Sequence, residues 1–87
     1  MSEKQQKAVA LKYREGHDAA PSVVAKGRGP LADKIIALAR KHGVTVHSDR
    51  HLIEILSTLD LYEEIPQELY KAVAEILAFI YKVSKNR

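Results

Sequence analysis

The sequence contains no cysteine among its 87 residues. Disulfide bonds and thiolate zinc sites are therefore excluded, and packing alone must stabilise the fold. Long apolar runs are also missing: none approaches the roughly 20 residues that span a bilayer. The polar start of the chain lacks a hydrophobic signal region as well. We therefore expect a soluble, unexported protein located in the cytoplasm.

The chain is too short for a second domain. A hydrophobic content of 46% in 87 residues suits one small domain with one modest core. We place this domain at residues 8–83, after a polar tail at residues 1–7. The basic residues at 84–87 are expected to fray.

Charge of either sign is unevenly distributed, although the net charge is only +3. Residues 26–51 hold six Lys or Arg against two Asp or Glu, whereas residues 52–81 hold one against six. The molecule is therefore dipolar rather than uniformly basic. A nucleic-acid-binding protein more typically carries a larger basic excess, so the charge pattern argues against nucleic acid as a partner.

The sequence pattern predicts three strands. Residues 7–13 alternate large and small side chains, and residues 22–26 are rich in valine, as in half-buried strands. Gly, Asp and Pro between them indicate a hairpin-type connection. The short β-branched segment at residues 44–47 is expected to form a third strand, reached through a helix and therefore parallel to the second.

Three helices complete the prediction. Apolar residues at helical spacing indicate a first helix over residues 31–42, and Gly43 is placed as its carboxyl-terminal cap. Ser48 is expected to cap a second helix that ends near Asp60. Pro66 opens the third and longest helix, with Ile76 and Leu77 buried at its centre. The predicted fold is an α/β domain with a small mixed three-stranded sheet, in β-β-α-β-α-α order, flanked by three helices.

A glycine turn joins the second strand to the first helix. Such corners can hold phosphate, but the pattern lacks the third glycine of a dinucleotide fingerprint and the Gly-Lys-Ser/Thr ending of a P-loop. A tight structural turn is therefore favoured, and a partner-binding role stays open for its four residues: Lys26, Gly27, Arg28 and Gly29.

Metal binding and catalysis are not indicated. His47 and His51 share a helical face only if the second helix starts before Ser48, and no third ligand has suitable spacing. No serine or lysine lies in a recognisable activating motif. The carboxylates around the start of the third helix fit its positive end, and they form either a solvated face or a partner-binding surface: Asp60, Glu63, Glu64 and Glu68.

Four segments carry a family resemblance in their order along the chain. They are residues 8–13 (AVALKY), 20–21 (AP), 23–27 (VVAKG) and 65–78 (IPxxLYxAVAEILA). Together they resemble the cytoplasmic domain of the FlhB/YscU family, the export-apparatus proteins of flagella and type III injectisomes. The resemblance covers nearly the whole chain.

The resemblance implies a docking platform that helps the export gate change from one substrate class to another. The implied partners are export-gate proteins and export substrates or chaperones, with no cofactor and no small-molecule substrate. Contact with the inner membrane would then be peripheral and made only through the export apparatus.

The chain departs from the family at the cleavage motif. The family's domain carries Asn-Pro-Thr-His just before the strand matched by residues 8–13, and it cleaves itself between the asparagine and the proline. Glu3, Lys4, Gln5 and Gln6 stand at these positions here. Glu3 has no side-chain amide to attack its own carbonyl, so we expect no self-cleavage and no enzymatic activity.

The strand that precedes the family's cleavage motif is also missing from this sequence. We therefore expect one edge of the first strand to be unpaired and open to a partner, along Ala8, Val9, Ala10, Leu11, Lys12 and Tyr13. The sequence best fits a non-enzymatic, stand-alone homologue of the switch domain. A small basic nucleic-acid-binding module and a vestigial domain are the alternatives, and the oligomeric state is left open.

Overall fold

The computed structural model of the protein describes residues 6–85, with side-chain surroundings through residue 78. Residues 1–5 of the expected polar tail, which include Glu3 and Lys4, lie outside the described residues. Residues 86–87 of the expected basic end do so as well. The order of elements is two strands, two α-helices, a 3₁₀ turn and a final α-helix.

Two antiparallel strands form the sheet: β1 (Lys7–Lys12) and β2 (Ser22–Arg28). Lys7 lies opposite Arg28 and Lys12 opposite Ser22, with a β-bulge that leaves Val24 as the extra residue on β2. The connecting loop, residues 13–21, contains a tight turn, because the Arg14 carbonyl accepts hydrogen bonds from the backbone amides of His17 and Asp18. The first two predicted strands and their connection are confirmed.

The predicted third strand is wrong: within residues 6–85, residues 44–47 belong to no strand and the sheet has two strands. These β-branched residues follow the end of the first helix, where Val44 remains 58% exposed. We expected residues 44–47 to pair with the edge of β2 that faces away from β1. Residues 62–65 are hydrogen-bonded to that edge instead, at the start of β2. The Tyr62 amide donates to the Val23 carbonyl at 2.6 Å, and the Val23 amide donates to the Glu63 carbonyl at 2.9 Å. The added segment is antiparallel to β2, with a single bridge from Ser22 to Glu64.

Helix α1 (Pro30–Lys41) has nearly the bounds that the sequence predicts. Pro30 occupies its first turn, where no amide donor is needed, and Asp33 lies near its positive end. At the other end Gly43 adopts a left-handed conformation (φ 74°), and the amide of Val44 donates to the Ala39 carbonyl at 2.8 Å. This is a Schellman motif, and it explains why the helix stops before the valine.

Helix α2 (Arg50–Leu56) is shorter than expected and has a different cap. The Asp49 carboxylate, not the Ser48 hydroxyl, accepts the hydrogen bond from the Leu52 amide, at 2.9 Å. The helix ends at Leu56 instead of near Asp60. Ser57 and Thr58 follow, and their hydroxyls donate to carbonyls of the last turn. Such bonds compete with a regular helix, so the chain leaves it early.

Helical structure after Pro66 begins as a 3₁₀ turn (Gln67–Leu69) and continues as α3 (Tyr70–Lys85). Ile76 and Leu77 were expected at the centre of the buried face, but both are only half-buried. The buried position of α3 within residues 70–78 is Val73, one turn closer to the start of the helix, at 3% exposure. Within residues 70–78, Val73 lies inside the core cluster, whereas Ile76 and Leu77 pack against its margin.

The main core lies between one face of the sheet, α2 and the start of α3. Val23 of β2 is completely buried at its centre. The cluster consists of Ala20, Val23, Leu52, Leu56, Leu59, Ile65, Leu69 and Val73. Helix α1 packs against both strands, and the buried alanines Ala8 and Ala32 lie outside this cluster. The sheet is therefore covered by α1 separately from the main core.

Candidate functional site

An apolar groove lies between the β1–β2 loop and helix α3. Its volume is about 290 Å³, and its lining combines the end of the loop, Ile65 and the first turns of α3. Ala20, Pro21, Ile65 and Val73 are buried beneath it. The groove is therefore an extension of the core that opens to solvent.

Small side chains create this concavity. Ala74 and Ala78 are exposed on α3 one turn apart, so they leave room beside the half-buried Leu77. Pro21 is held against this wall because its carbonyl accepts a hydrogen bond from the Ile65 amide at 2.9 Å. Ala20 precedes it at 2% exposure. A larger residue at any of these alanines would fill the groove.

The rim of the groove is amphipathic. Tyr13, Glu15 and Tyr70 border it, and Tyr70 is 42% exposed. Tyrosine offers a large apolar ring together with a hydroxyl that reaches water, which is typical of protein-binding surfaces. The sequence pattern did not predict this groove. The sequence feature that could have indicated the groove is the pair of alanines beside Leu77, Ala74 and Ala78, together with Ala20 and Pro21.

Lys26 has a structural contact in the folded chain. Its ammonium donates to the Leu59 carbonyl at 2.6 Å and to the Ser57 carbonyl at 3.3 Å, just beyond the end of α2. These carbonyls lie at the negative end of a helix, where a cation is favourable. Lys26 therefore ties β2 to the chain that leaves α2.

The glycine corner is occupied by contacts within the fold. A Cβ added at Gly27 would come within 2.5 Å of Leu31 Cγ, so α1 packs closely on β2 here. Gly29 has φ 60° and caps α1, and its amide donates to the Gln6 carbonyl at 2.7 Å. Arg28, between them, is exposed. The Gly29 amide is thus already used by the protein's own backbone.

The four acidic residues are exposed along the segment that runs from Asp60, beside the start of β2, to the 3₁₀ turn. The Glu63 carboxylate accepts a hydrogen bond from the Asp60 amide at 2.9 Å, which closes the turn. Glu64 forms the bridge to Ser22, and Glu68 lies in the 3₁₀ turn. Lys26 lies close to this turn, because its ammonium donates to the carbonyl of Leu59, the residue before Asp60. The Gly27–Gly29 corner follows at the opposite end of β2.

The outer edge of β1 has no strand partner within residues 6–85. Along it Ala8 is buried, Val9, Ala10, Leu11 and Tyr13 are half-buried, and Lys12 is exposed. Lys7 Nζ contacts Glu54 Oε1 of α2 at 2.9 Å. This hydrogen bond and the lysine charge lower the pKa of the exposed Glu54 carboxyl below its ordinary value.

The described residues form a small α/β domain with an apolar groove that opens to solvent and no recognisable catalytic constellation. Comparison with known proteins is more specific. The model of the FlhB HrpN YscU SpaS family matches residues 5–80, and the chain belongs to this family. Its members act in flagellar biosynthesis, protein export and type III secretion, as the resemblance in the sequence implied.

Two sequence relatives show how the match is distributed. "Uncharacterized protein YlqH" of Bacillus subtilis is 49% identical over 80 residues, which cover 92% of this chain and 86% of that protein. "Flagellar biosynthetic protein FlhB" of Buchnera aphidicola is 47% identical over 79 residues, which cover 90% of this chain but 21% of that protein. The chain therefore spans most of YlqH and about a fifth of FlhB.

Solved structures confirm the architecture. The cytoplasmic domain of FlhB from Shewanella putrefaciens superposes with a TM-score of 0.84 at 36% identity, covering 92% of this chain and 66% of that one. The PscU C-terminal domain gives 0.80 at 28% identity, covering 85% and 95%. Cytoplasmic domains of this family are self-cleaving switch domains rather than enzymes acting on a separate substrate. Within residues 6–85 no helix is both long and apolar enough to cross a membrane.

The position of Lys26 leads to a stability prediction. Lys26→Met keeps most of the side-chain length but removes the hydrogen bonds to the carbonyls after α2, so we expect a loss of about 1–2 kcal/mol. Lys12→Met is the matched control on the neighbouring strand, because Lys12 is exposed. Denaturant unfolding of both variants measures the effect. Equal midpoints for the two variants would show that Lys26 is not a structural tie.

Proposed function

We propose that the protein is a docking platform in type III protein export, and that the groove between the β1–β2 loop and α3 binds an apolar segment of an exported protein. The observation that carries the proposal is the groove itself: a concave apolar surface continuous with the core. Membership of an export-apparatus family supports export substrates, or their chaperones, as the source of the ligand.

The dimensions of the groove favour a peptide segment. Its volume of about 290 Å³ lies at the lower end of the range for small-molecule sites. Among its described lining residues one is charged, Glu15 at the rim. The groove therefore lacks the convergent polar groups that orient a cofactor, whereas a short apolar side-chain cluster would bury well against Ile65, Val73 and Leu77.

Switching between substrate classes would follow from selective docking. A platform can favour one class if only that class carries an apolar segment that fits the groove, because specificity is a difference between two affinities. The resemblance to the switch domain supports this role. Export-gate proteins would then be neighbours of the platform rather than occupants of the groove.

Filling the groove should prevent docking without unfolding the protein. Ala74→Gln and Ala78→Gln place longer side chains on the exposed wall, so we expect each to weaken binding of export substrates at least about tenfold. Ala37→Gln is the matched control, because Ala37 is an exposed alanine of helix α1. Calorimetric titration with purified export substrates or their chaperones measures the affinity. Unchanged affinity in both groove variants would rule the groove out.

We also propose that the outer edge of β1 accepts an extended segment of an export-gate protein as an added strand. An unpaired edge offers a row of backbone donors and acceptors, and Lys7 and Lys12 at its ends limit indiscriminate pairing. This second surface lies on the hairpin whose loop borders the groove. Strand addition and groove binding can therefore occur on the same molecule.

Amide hydrogen exchange tests the edge. We expect amides between Ala8 and Tyr13 that are not bonded to β2 to exchange fast in the dilute protein and to slow on addition of export-gate fragments. The Val23 amide serves as the internal control, since it donates to the Glu63 carbonyl on the other edge of β2. Strong protection of the whole of β1 before any fragment is added would exclude this mode of binding.

We further propose that the 87-residue chain does not cleave itself. Its 87 residues contain one asparagine, Asn86, and no Asn-Pro pair. Extending the resemblance at residues 8–11 towards the amino terminus puts Glu3 and Lys4 at the positions of the family's scissile pair. A glutamate side chain cannot supply the attacking amide nitrogen.

Mass spectrometry of the purified chain after prolonged incubation decides this point. We expect one species with the mass of the full 87 residues. A protease-free pair of fragments separated between Glu3 and Lys4 would contradict the argument. Incubation with protease inhibitors is the control for adventitious cleavage.

A further inference from the structure

Helix α1 presents two large apolar side chains to solvent. Leu31 is 52% exposed and Leu38 is 48% exposed, and a spacing of seven residues places them on the same side of the helix. Val44, which follows the Schellman motif, is 58% exposed. Ala32 is the buried residue of the contact between this helix and the sheet, and part of the Leu31 side chain covers Gly27 of β2, so about half of each leucine is left facing solvent.

Basic side chains accompany the exposed leucines. Lys34 and Lys41 each lie three residues after a leucine, which places them beside it on the helix surface, and both are exposed. Arg40 lies in the last turn, and Asp33 is the one acidic residue of the helix. We call this surface, formed by Leu31, Lys34, Leu38, Lys41 and Val44, the α1 surface.

We propose that the α1 surface binds an anionic lipid bilayer, with its aliphatic side chains at the acyl boundary and its lysines at the headgroups. Weak apolar contact and electrostatic attraction together suffice for reversible membrane binding where neither does alone. This contact is direct, and it goes beyond attachment to the membrane through the export apparatus.

The arrangement favours a bilayer over other anionic partners. Nucleic-acid phosphates would engage the lysines but would leave Leu31 and Leu38 in water. The acidic turn at Asp60 and Glu63 of a second copy is an alternative; pairing it with the α1 surface joins two different surfaces head-to-tail, and self-association in solution would reveal it. The acidic turn itself follows Leu59, which belongs to the main core, whereas α1 packs on the sheet outside that core. The acidic turn therefore need not face the lipid surface that the α1 surface contacts.

Flotation with lipid vesicles tests the proposal on the full chain. We expect binding to vesicles of phosphatidylcholine and phosphatidylglycerol at low salt, and none to phosphatidylcholine alone. Lys34→Gln with Lys41→Gln should lower the partition coefficient by roughly 25-fold, at about fivefold per charge near the surface. Lys12→Gln with Lys71→Gln is the matched control, because it removes two exposed charges outside the α1 surface.

A second pair separates lipid from other partners. Leu31→Ser with Leu38→Ser should abolish vesicle binding while the circular dichroism spectrum is retained. Binding to duplex DNA that needs the lysines but not the leucines, without vesicle binding, would overturn the proposal. So would self-association in sedimentation that the leucine pair abolishes, again without vesicle binding. If the Lys12/Lys71 control variant loses as much vesicle binding as the Lys34/Lys41 variant, the effect depends only on net charge. That result would also overturn the proposal.

Discussion

Strand β2 is hydrogen-bonded on both of its edges, and the rest of the domain is arranged around that pairing. One edge carries β1, and the start of the other carries residues 62–65. Because Val23 lies between them with no exposure, its burial requires both neighbours to be in place. A domain of 87 residues has few such positions, so loss of either pairing would remove a large share of its stability.

The same pairing creates the candidate site. The bond from the Ile65 amide to the Pro21 carbonyl fixes the end of the β1–β2 loop against the segment that leads into α3. Ala20 and Pro21 are thereby brought opposite Val73 and Leu77, although about fifty residues separate them in sequence. The groove is thus a consequence of how the sheet is completed, and the small side chains of Ala74 and Ala78 keep it open.

The local sequence pattern predicts which segments form helices and strands better than it predicts which segments pair with each other. The bounds of α1 follow from signals that agree, namely Pro30, Asp33 and Gly43. Residues 44–47 carry strand propensity, but propensity does not say which edge is free, and residues 62–65 already occupy the start of the outer edge of β2. The cap of α2 was misassigned by one residue because Ser48 and Asp49 are both good caps, and only geometry selects the aspartate.

The groove was missed for a different reason. Periodicity arguments look for large apolar residues, and this site is defined by small ones: Ala20, Ala74 and Ala78 mark where side chains are absent. The family resemblance contains these residues, because its segments at 20–21 and 65–78 both contribute to the groove. The two kinds of inference therefore complement each other. The resemblance identifies the segments of an export-switch domain, and the structure shows that those segments meet at one apolar surface.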